Sequence, residues 1–430
     1  MHKDLQTKYL FHLIQVQHLA HLVLLENYLN NDKLTYCNTV GFILSISNLC
    51  ILLTSTIPCS KIYSLLIKPK QGGKMSKENT RLSFIDIARA FAIIFIVLGH
   101  SVAYSNHCTN VFKFVYSFHV YLFFFLSGYT FSTNKKIKEF IKTKFKRIMI
   151  PYYFWALAFL IPYALLGKFV GSTLDKATTF NLKETIFNII YASGDGLQQN
   201  RPLWFLPALF SMVCIYYLLI KLTSKKKSHS IILLGITLIF AFVCYNYLNI
   251  TLPMCINQVL ILGPVFYIGY IFNKFNLKEY IFKHWYYIFI LAIIGCICTF
   301  LNITVSYRVL TLGSLPLSLL SGITLSLAAV YIAYKIDNNK LLEYIGKNTM
   351  GILIFHKLLI VLFQSKLGIV STLMKNSNIF VEVLISFLVS ILAIAFSILA
   401  TKIVKLFFPI LVGENGKNIF TKKENPIIDK

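Results

Sequence analysis

Long apolar runs, separated by short polar segments, follow one another along most of the chain. Ten runs are close to the ~20 residues that an α-helix needs to cross the hydrocarbon core of a bilayer. Their predicted limits are 84–104, 112–132, 148–170, 203–222, 230–248, 253–273, 284–302, 309–334, 348–368 and 380–408. This pattern predicts an all-α fold, a polytopic membrane helical bundle of about ten transmembrane helices over residues 75–412.

The polar segments between the runs alternate in charge. Segment 133–147 is the most basic, and further lysines cluster at 221–227, 274–283 and 335–347. The intervening loops carry few basic residues. Since cytoplasmic loops are enriched in Lys and Arg, both ends of the ten-span unit, and the tail at 413–430, are predicted to be cytoplasmic. The chain is therefore predicted to be a multi-pass protein of the cytoplasmic membrane.

Residues 1–74 do not continue this pattern. They contain one apolar run at about 40–58, which is borderline for an additional span. The segment from Gln71 to Met75 can be encoded by a purine-rich tract just before a start codon, as in a translated bacterial ribosome-binding site. Our hypothesis is that translation begins at Met75 and that residues 1–74 are an N-terminal extension outside the working protein.

Composition supports a membrane location. Of the 430 residues, 57% are hydrophobic and 13% are charged, which leaves too few charges for a water-exposed surface. The net charge of +26 would favour nucleic acid in a soluble protein, but here the basic residues belong to the loops, so no nucleic-acid partner is predicted. The nine cysteines show no metal-binding spacing, and no metal site is predicted.

Ionisable residues inside a span are candidates for function, because they are costly in lipid unless paired or hydrated. The first span carries Asp86, Arg89 and His100. Asp86 and Arg89 have the i,i+3 spacing of a helical pair. His100 is predicted on the same helix face, about 16 Å further toward the outside. The alternative is an anchoring pair at the inner interface and a histidine at the outer end.

The second span runs back toward the cytoplasm. His119 is predicted at a depth similar to that of His100, with Ser127 and Tyr129 nearer to Arg89. Gly128 allows close approach of another helix backbone. A histidine that is merely packed and hydrogen-bonded remains the alternative for His119.

Two further positions carry candidate chemistry. Arg201 and Trp204 open the fourth span, either as part of an aromatic belt at the interface or as a surface that stacks a sugar. His356 and Lys357 lie near the middle of the ninth span, where a lysine must face the bundle or a water-filled cavity.

These residues together resemble membrane acyltransferase family 3, and more closely its branch of fucose 4-O-acetylase-like enzymes. The motifs are Asp86-x-x-Arg89, Arg89 and His100 separated by ten residues, the aromatic segment 118–129 ending in Ser-Gly-Tyr, Leu-Trp-Phe-Leu at 203–206, and the segment around His356. The resemblance covers about 82–411, and the family commonly has about ten spans.

The resemblance implies O-acetylation, the transfer of an acyl group, expected to be acetyl, from cytoplasmic acetyl-CoA to a hydroxyl of a cell-envelope carbohydrate. The acceptor would be a cell-surface glycan or a lipid-linked sugar, and acetyl-CoA would be a substrate without any permanently bound cofactor. Arg89 and the basic loops suit the donor, with Asp86 holding Arg89. His100 would act either as a general base or as a nucleophile that forms an acyl-imidazole.

The remaining candidates would assist that reaction. His119, Ser127 and Tyr129 would shape the passage, and Tyr129 or Arg89 would stabilise the oxyanion. A transporter or flippase of a lipid-linked sugar would also need charges around a passage. The sequence shows no pair of interrupted helices in an inverted repeat, which is the usual indication of a transporter. A passive membrane scaffold would not need the Asp86, Arg89 and His100 face.

Overall fold

A chain segment in lipid must satisfy its own backbone hydrogen bonds, and an α-helix does so within one segment. The computed structural model describes residues 82–103, 105, 107–161, 181–197, 200–223, 227–363, 369–374 and 377–414. The proposed extension at 1–74 and most of the tail at 413–430 lie outside these residues. Leu82–Gly313 and Leu317–Lys430 belong to one compact unit.

The described residues are all-α, as predicted, and they contain no strand beyond an isolated bridge between Ser306 and Thr311. The α-helices in chain order are α1 Ser83–Val102, α2 Thr109–Tyr129, α3 Ile137–Lys144, α4 Ile150–Ala158, α5 Leu182–Tyr191, α6 Phe205–Thr223, α7 Lys227–Tyr247, α8 Ile256–Lys274, α9 Leu277–Ile281, α10 Trp285–Leu301, α11 Leu315–Ile336, α12 Lys340–Lys347, α13 Thr349–Val361, α14 Ile369–Met374 and α15 Ile379–Phe407. A π-helix at Phe145–Met149 precedes α4, and 3₁₀ turns at Arg201–Trp204, Pro253–Cys255 and Pro409–Val412 adjoin α6, α8 and α15.

Seven helical stretches of the described chain are long and apolar enough to cross a membrane. Five of them are the helices α1, α2, α7, α11 and α15. The other two are α6 and α8, each together with the 3₁₀ turn that precedes it. Helices α10 and α13 are apolar but shorter, with 17 and 13 residues. The predicted third span is described only as far as residue 161, so the count of about ten stays a prediction.

The helices differ in how much of their surface the protein encloses. In both α1 and α2 more than 60% of the apolar window is buried, whereas in α7 the buried share is 28%. Helices α1 and α2 therefore belong to the interior of the bundle. The exposed apolar side chains of α7 and α15 form the kind of surface that faces lipid.

Helix α2 crosses α8 at a position where both helices carry glycine. A β-carbon on Gly128 would lie 1.8 Å from the carbonyl oxygen of Phe266, and one on Gly269 would lie 2.0 Å from the carbonyl oxygen of Phe125. No side chain fits at those distances. The close approach predicted for Gly128 is confirmed, and it fixes the position of α2 in the bundle.

Two of the basic loops, 274–283 and 335–347, meet beside the start of α1. At this end of the unit the Lys278 amine lies 5.1 Å from the centre of the Phe84 ring. Asn338 donates its backbone N–H to the Ser83 hydroxyl there, at 2.9 Å. We call this the basic end. We call the other end the opposite end. There the Tyr191 hydroxyl donates to the carbonyl oxygen of Thr251 at 2.6 Å.

Candidate functional site

Arg89 lies at the basic end, in the wall of a cavity of about 250 Å³. Its guanidinium donates to the Asp86 carboxylate at 3.1 Å and to the Thr130 hydroxyl at 3.3 Å. The pair predicted from the i,i+3 spacing is therefore present. Asp86 is 1% exposed and the Arg89 side chain 27%, so the carboxylate is enclosed while the cation still reaches the cavity.

We call this cavity at the basic end the inner cavity. The rest of its wall combines hydroxyl groups, a second cation and apolar side chains. Ser127, Thr130 and Ser132 line it together with Lys144 and several Phe, Leu and Val side chains. Burial lowers the pKa of Lys144, and the nearby guanidinium of Arg147 lowers it further. Such a cavity can take an anionic group beside the cations and an apolar chain against the walls.

His100 lies against His356. The sequence predicted His356 in the ninth span but did not predict that the two histidines meet. The two imidazole ring centres are 5.2 Å apart. The Nδ1 atom of His100 is 3.4 Å from the Tyr116 hydroxyl. Lys357 and His119 are also close enough to His100 to interact with it electrostatically. We call His100, Tyr116, His119 and His356 the histidine cluster.

Backbone contacts fix the tautomers of two of these histidines. His356 Nδ1 lies 2.7 Å from the carbonyl oxygen of Ile352, and His119 Nδ1 lies 2.7 Å from that of Val115. Because a carbonyl oxygen only accepts, each Nδ1 carries a proton. In the neutral imidazole, Nε2 is then the nitrogen with the lone pair and the atom that can accept a proton.

The Nε2 atom of His356 is buried and has no hydrogen-bond partner in the part of the chain that the structure describes. A buried acceptor without a partner costs roughly 1–3 kcal/mol. Such a group in a native protein calls for an explanation, and a role in binding or proton transfer supplies one.

An aromatic group joins the histidine cluster to the segment after α10. The Tyr116 and His119 rings are 4.8 Å apart, and the His119 and Tyr307 rings are 5.9 Å apart. The Tyr307 hydroxyl is buried and, among the described residues, also has no hydrogen-bond partner. The tyrosine packs further against Tyr121, at 4.9 Å between ring centres.

The other predicted site residues are placed differently. Tyr129 is buried against Phe84, with ring centres 6.0 Å apart, and it does not line the inner cavity. Arg201 lies near enough to Lys357 to interact with it electrostatically. Ser127 and Arg89 both line the inner cavity, which agrees with the prediction that Ser127 lies nearer to Arg89 than to His100.

Trp204 is only 7% exposed and packs against Phe205. Trp204 belongs to the 3₁₀ turn at Arg201–Trp204, and its indole is enclosed by the protein. A sugar that stacks on it would have to enter the bundle, and that role stays a prediction.

Sequence reasoning missed Thr130, Lys144, Tyr116, Tyr307 and Arg308. Tyr116 precedes His119 by three residues, so helical spacing would have placed it on the same face. Lys144 was interpreted only as part of the basic loop. Nothing in the sequence pattern distinguishes Tyr307 and Arg308.

A second cavity, of about 400 Å³, lies at the opposite end. Its lining comes from three segments, at 194–195, 244–261 and 308–310, and it includes Tyr245, Asn257, Gln258 and Arg308. Arg308 forms an ion pair with Asp195. We call this the outer cavity, because the loops that line it are predicted to lie on the outer side of the membrane.

Together these features define a helical membrane protein with ionisable residues in the interior of its bundle and a cavity at each end. Within the residues described, no group of His, Cys, Asp and Glu side chains is suited to hold a metal ion. A family model described as an acyltransferase domain matches residues 82–402, and the chain belongs to that family, acyltransferase family 3. It is a membrane acyltransferase. Comparison with curated proteins and with solved structures found no match.

Proposed function

We propose that this acyltransferase moves an acyl group from cytoplasmic acyl-CoA to a hydroxyl of an extracytoplasmic cell-envelope carbohydrate. The observation that carries the proposal is that one helix, α1, brings Arg89 to the inner cavity and His100 to the histidine cluster. Eleven residues of helix separate them by about 16 Å along the axis. A donor and an acceptor that arrive from opposite sides of a membrane need such an arrangement.

The basic end is assigned to the cytoplasm because cytoplasmic loops are enriched in Lys and Arg. Acyl-CoA is cytoplasmic and anionic, and Arg89 and Lys144 offer it two cations beside apolar walls. The inner cavity, at about 250 Å³, is smaller than the ~300–1,000 Å³ typical of whole-ligand sites. It therefore suits part of the donor, with the remainder extending out among the basic loops.

The histidine cluster supplies the acid–base chemistry of the transfer. The acceptor hydroxyl oxygen attacks the thioester carbonyl carbon while an imidazole nitrogen takes the hydroxyl proton. The tetrahedral intermediate then breaks its C–S bond, and the departing thiolate of CoA takes a proton from the imidazolium. The lone pair on Nε2 of His356 and the adjacent His100 imidazole suit this exchange.

A covalent route uses the same groups. Here one imidazole nitrogen attacks the thioester carbonyl carbon, the C–S bond breaks, and the departing thiolate takes the N–H proton of the acyl-imidazolium. The acceptor hydroxyl then attacks the acyl-imidazole while the second imidazole takes the hydroxyl proton and returns it to the imidazole that is released. Two imidazoles 5.2 Å apart serve either route. The resemblance to the fucose 4-O-acetylase-like branch favours acetyl as the acyl group and O-acetylation as the reaction.

The proposal is tested with membrane vesicles and radiolabelled acetyl-CoA. We expect acetyl incorporation into envelope glycan to fall strongly in His100→Ala and Arg89→Ala. The control His229→Ala, which changes an exposed histidine of α7, should keep the wild-type rate. Wild-type incorporation in either site variant would refute the mechanism. Movement of glycan across the membrane without consumption of acetyl-CoA would show a transporter instead.

A further inference from the structure

The outer cavity has the size and the lining of a binding site for a polar molecule. At about 400 Å³ it lies in the range of small-ligand sites. Asn249, Thr251 and Gln258 line it with their polar side chains. Asn257 and Tyr245 also line it, but their side chains hydrogen-bond to the backbone of the surrounding loops. Such groups donate and accept hydrogen bonds, which suits the hydroxyl groups of a carbohydrate.

Arg308 is held in the wall of this cavity by three contacts. Its carbonyl oxygen accepts the side-chain N–H of Gln258 at 2.7 Å, and its guanidinium pairs with Asp195. A β-carbon on Gly194 would lie 2.1 Å from the Arg308 carbonyl oxygen, so the two backbones touch directly. The ion pair uses Nη1, and the other guanidinium N–H groups have no partner among the described residues. Those donors remain available to a ligand.

Arg308 also belongs to the surroundings of the histidine cluster. It interacts electrostatically with Tyr116, whose hydroxyl contacts His100, and with Lys357, which follows His356 in α13. The residue before it, Tyr307, packs on His119. One arginine is thus shared between the outer cavity and the histidines.

Lys357 adds a second cation at this junction. It lies half-buried in an apolar helix, and within the described part of the chain it has no acidic partner. Arg201 stands close enough to interact with it. Cations gathered in a low-dielectric site repel one another, and an anion beside them relieves that repulsion.

We infer that the outer cavity binds an anionic carbohydrate, and that Arg308 in its wall holds the negative group next to the hydroxyl that receives the acyl group. The charge of Lys357, which interacts electrostatically with Arg308, adds to this attraction. The assignment of this ligand as the acceptor rests on the proposed function. The shared chemistry is a carboxylate or a phosphate within a few bonds of a sugar or polyol hydroxyl. A uronic-acid glycan and a polyol-phosphate polymer are its two sources.

The test uses purified full-length protein in detergent and three labelled probes in equilibrium dialysis. They are an oligogalacturonate, the same oligosaccharide with its carboxyl groups reduced to alcohols, and an oligo(glycerol phosphate). We expect one or both anionic probes to bind about tenfold or more tightly than the neutral probe. Because this preference is electrostatic, it should weaken at high salt. The anion that binds better identifies the source of the ligand.

The variant Arg308→Gln should weaken binding of the anionic probe about ten- to hundredfold, the usual effect of losing a hydrogen bond to a charged group. Arg308→Lys, which keeps the charge, should retain most of the preference. Thermal unfolding of Arg308→Gln at the wild-type temperature shows that its loss of binding is not misfolding. Lys113→Gln removes the same charge from a lysine that contacts the Phe300 carbonyl and lines neither cavity, so its binding should stay at the wild-type level.

Equal binding of the neutral and anionic probes, binding of none of the three, or an undiminished preference in Arg308→Gln would overturn the inference. Acetyl-CoA binding, measured separately in the same preparation, tests the proposed function. Protein that binds the anionic glycan but not acetyl-CoA would leave the outer cavity as an anionic-glycan site and refute the acyl transfer. Binding of acetyl-CoA without any anion preference would refute only the inference.

Discussion

Replacing His356 with leucine separates a functional role for this residue from a structural one. The imidazole is fully buried in α13, and its Nδ1–H donates to the Ile352 carbonyl. Losing that hydrogen bond costs about 1 kcal/mol. Removing the unpartnered Nε2 recovers roughly 1–3 kcal/mol, the penalty of a buried acceptor without a partner. The two effects offset each other, so we expect His356→Leu to change the free energy of unfolding by no more than about 2 kcal/mol.

The effect on the reaction should be much larger. A positioned general acid or base contributes about 10²–10⁴ to the rate, which corresponds to roughly 2.7–5.4 kcal/mol in the barrier. We expect the acetyl-transfer rate at saturating acetyl-CoA to fall by that factor. The Michaelis constant for acetyl-CoA should change little, because His356 does not line the inner cavity.

The assay measures initial rates in membrane vesicles with radiolabelled acetyl-CoA, and thermal unfolding of the same purified variants. His229→Leu, at an exposed histidine, is the matched control. If His100 and His356 act as one unit, the double variant should be no slower than the slower single variant. A stable His356→Leu protein with a rate within threefold of wild type would refute the reasoning. So would a loss of rate fully explained by a smaller folded fraction.

Three further outcomes are expected. Asp86→Asn removes the carboxylate that pairs with Arg89. We expect it to raise the Michaelis constant for acetyl-CoA, measured by initial rates, about five- to tenfold. An unchanged Michaelis constant would contradict the pairing role. The lowered pKa of Lys144 means that its charge is lost at a lower pH than for a free lysine, so donor binding should weaken as pH rises through that pKa. Lys144→Arg should move this loss to higher pH, and identical pH profiles would refute the contribution. Gly128→Ala should destabilise the protein by roughly 1–3 kcal/mol or more in thermal unfolding, whereas Gly235→Ala, with nothing within 4 Å, should not.

Much of the fold follows from the sequence. The predicted span at 84–104 corresponds to α1 Ser83–Val102, and the one at 380–408 to α15 Ile379–Phe407. Hydrophobic length is local information, and in lipid it leaves only the helix as a solution. The predicted span at 203–222 likewise corresponds to the helical stretch Arg201–Thr223, which begins with the 3₁₀ turn Arg201–Trp204.

Part of the candidate site was also predictable. The Asp86 and Arg89 pair depends only on helical spacing, and the close approach at Gly128 depends only on the missing side chain. The resemblance carried by these residues agrees with the family match over 82–402. The roles of the individual residues in catalysis remain predictions that the assays above address.

The sequence by itself determined the helices, the alternation of basic loops and the face of α1 that carries its charges. Only the tertiary structure decided that His356 lies beside His100, that Trp204 points inward, and that Arg308 borders both the outer cavity and the histidine cluster. The physical reason is that periodicity specifies which face of a helix is apolar or charged. Which helix packs on that face depends on crossing geometry and close approach between segments far apart in the chain.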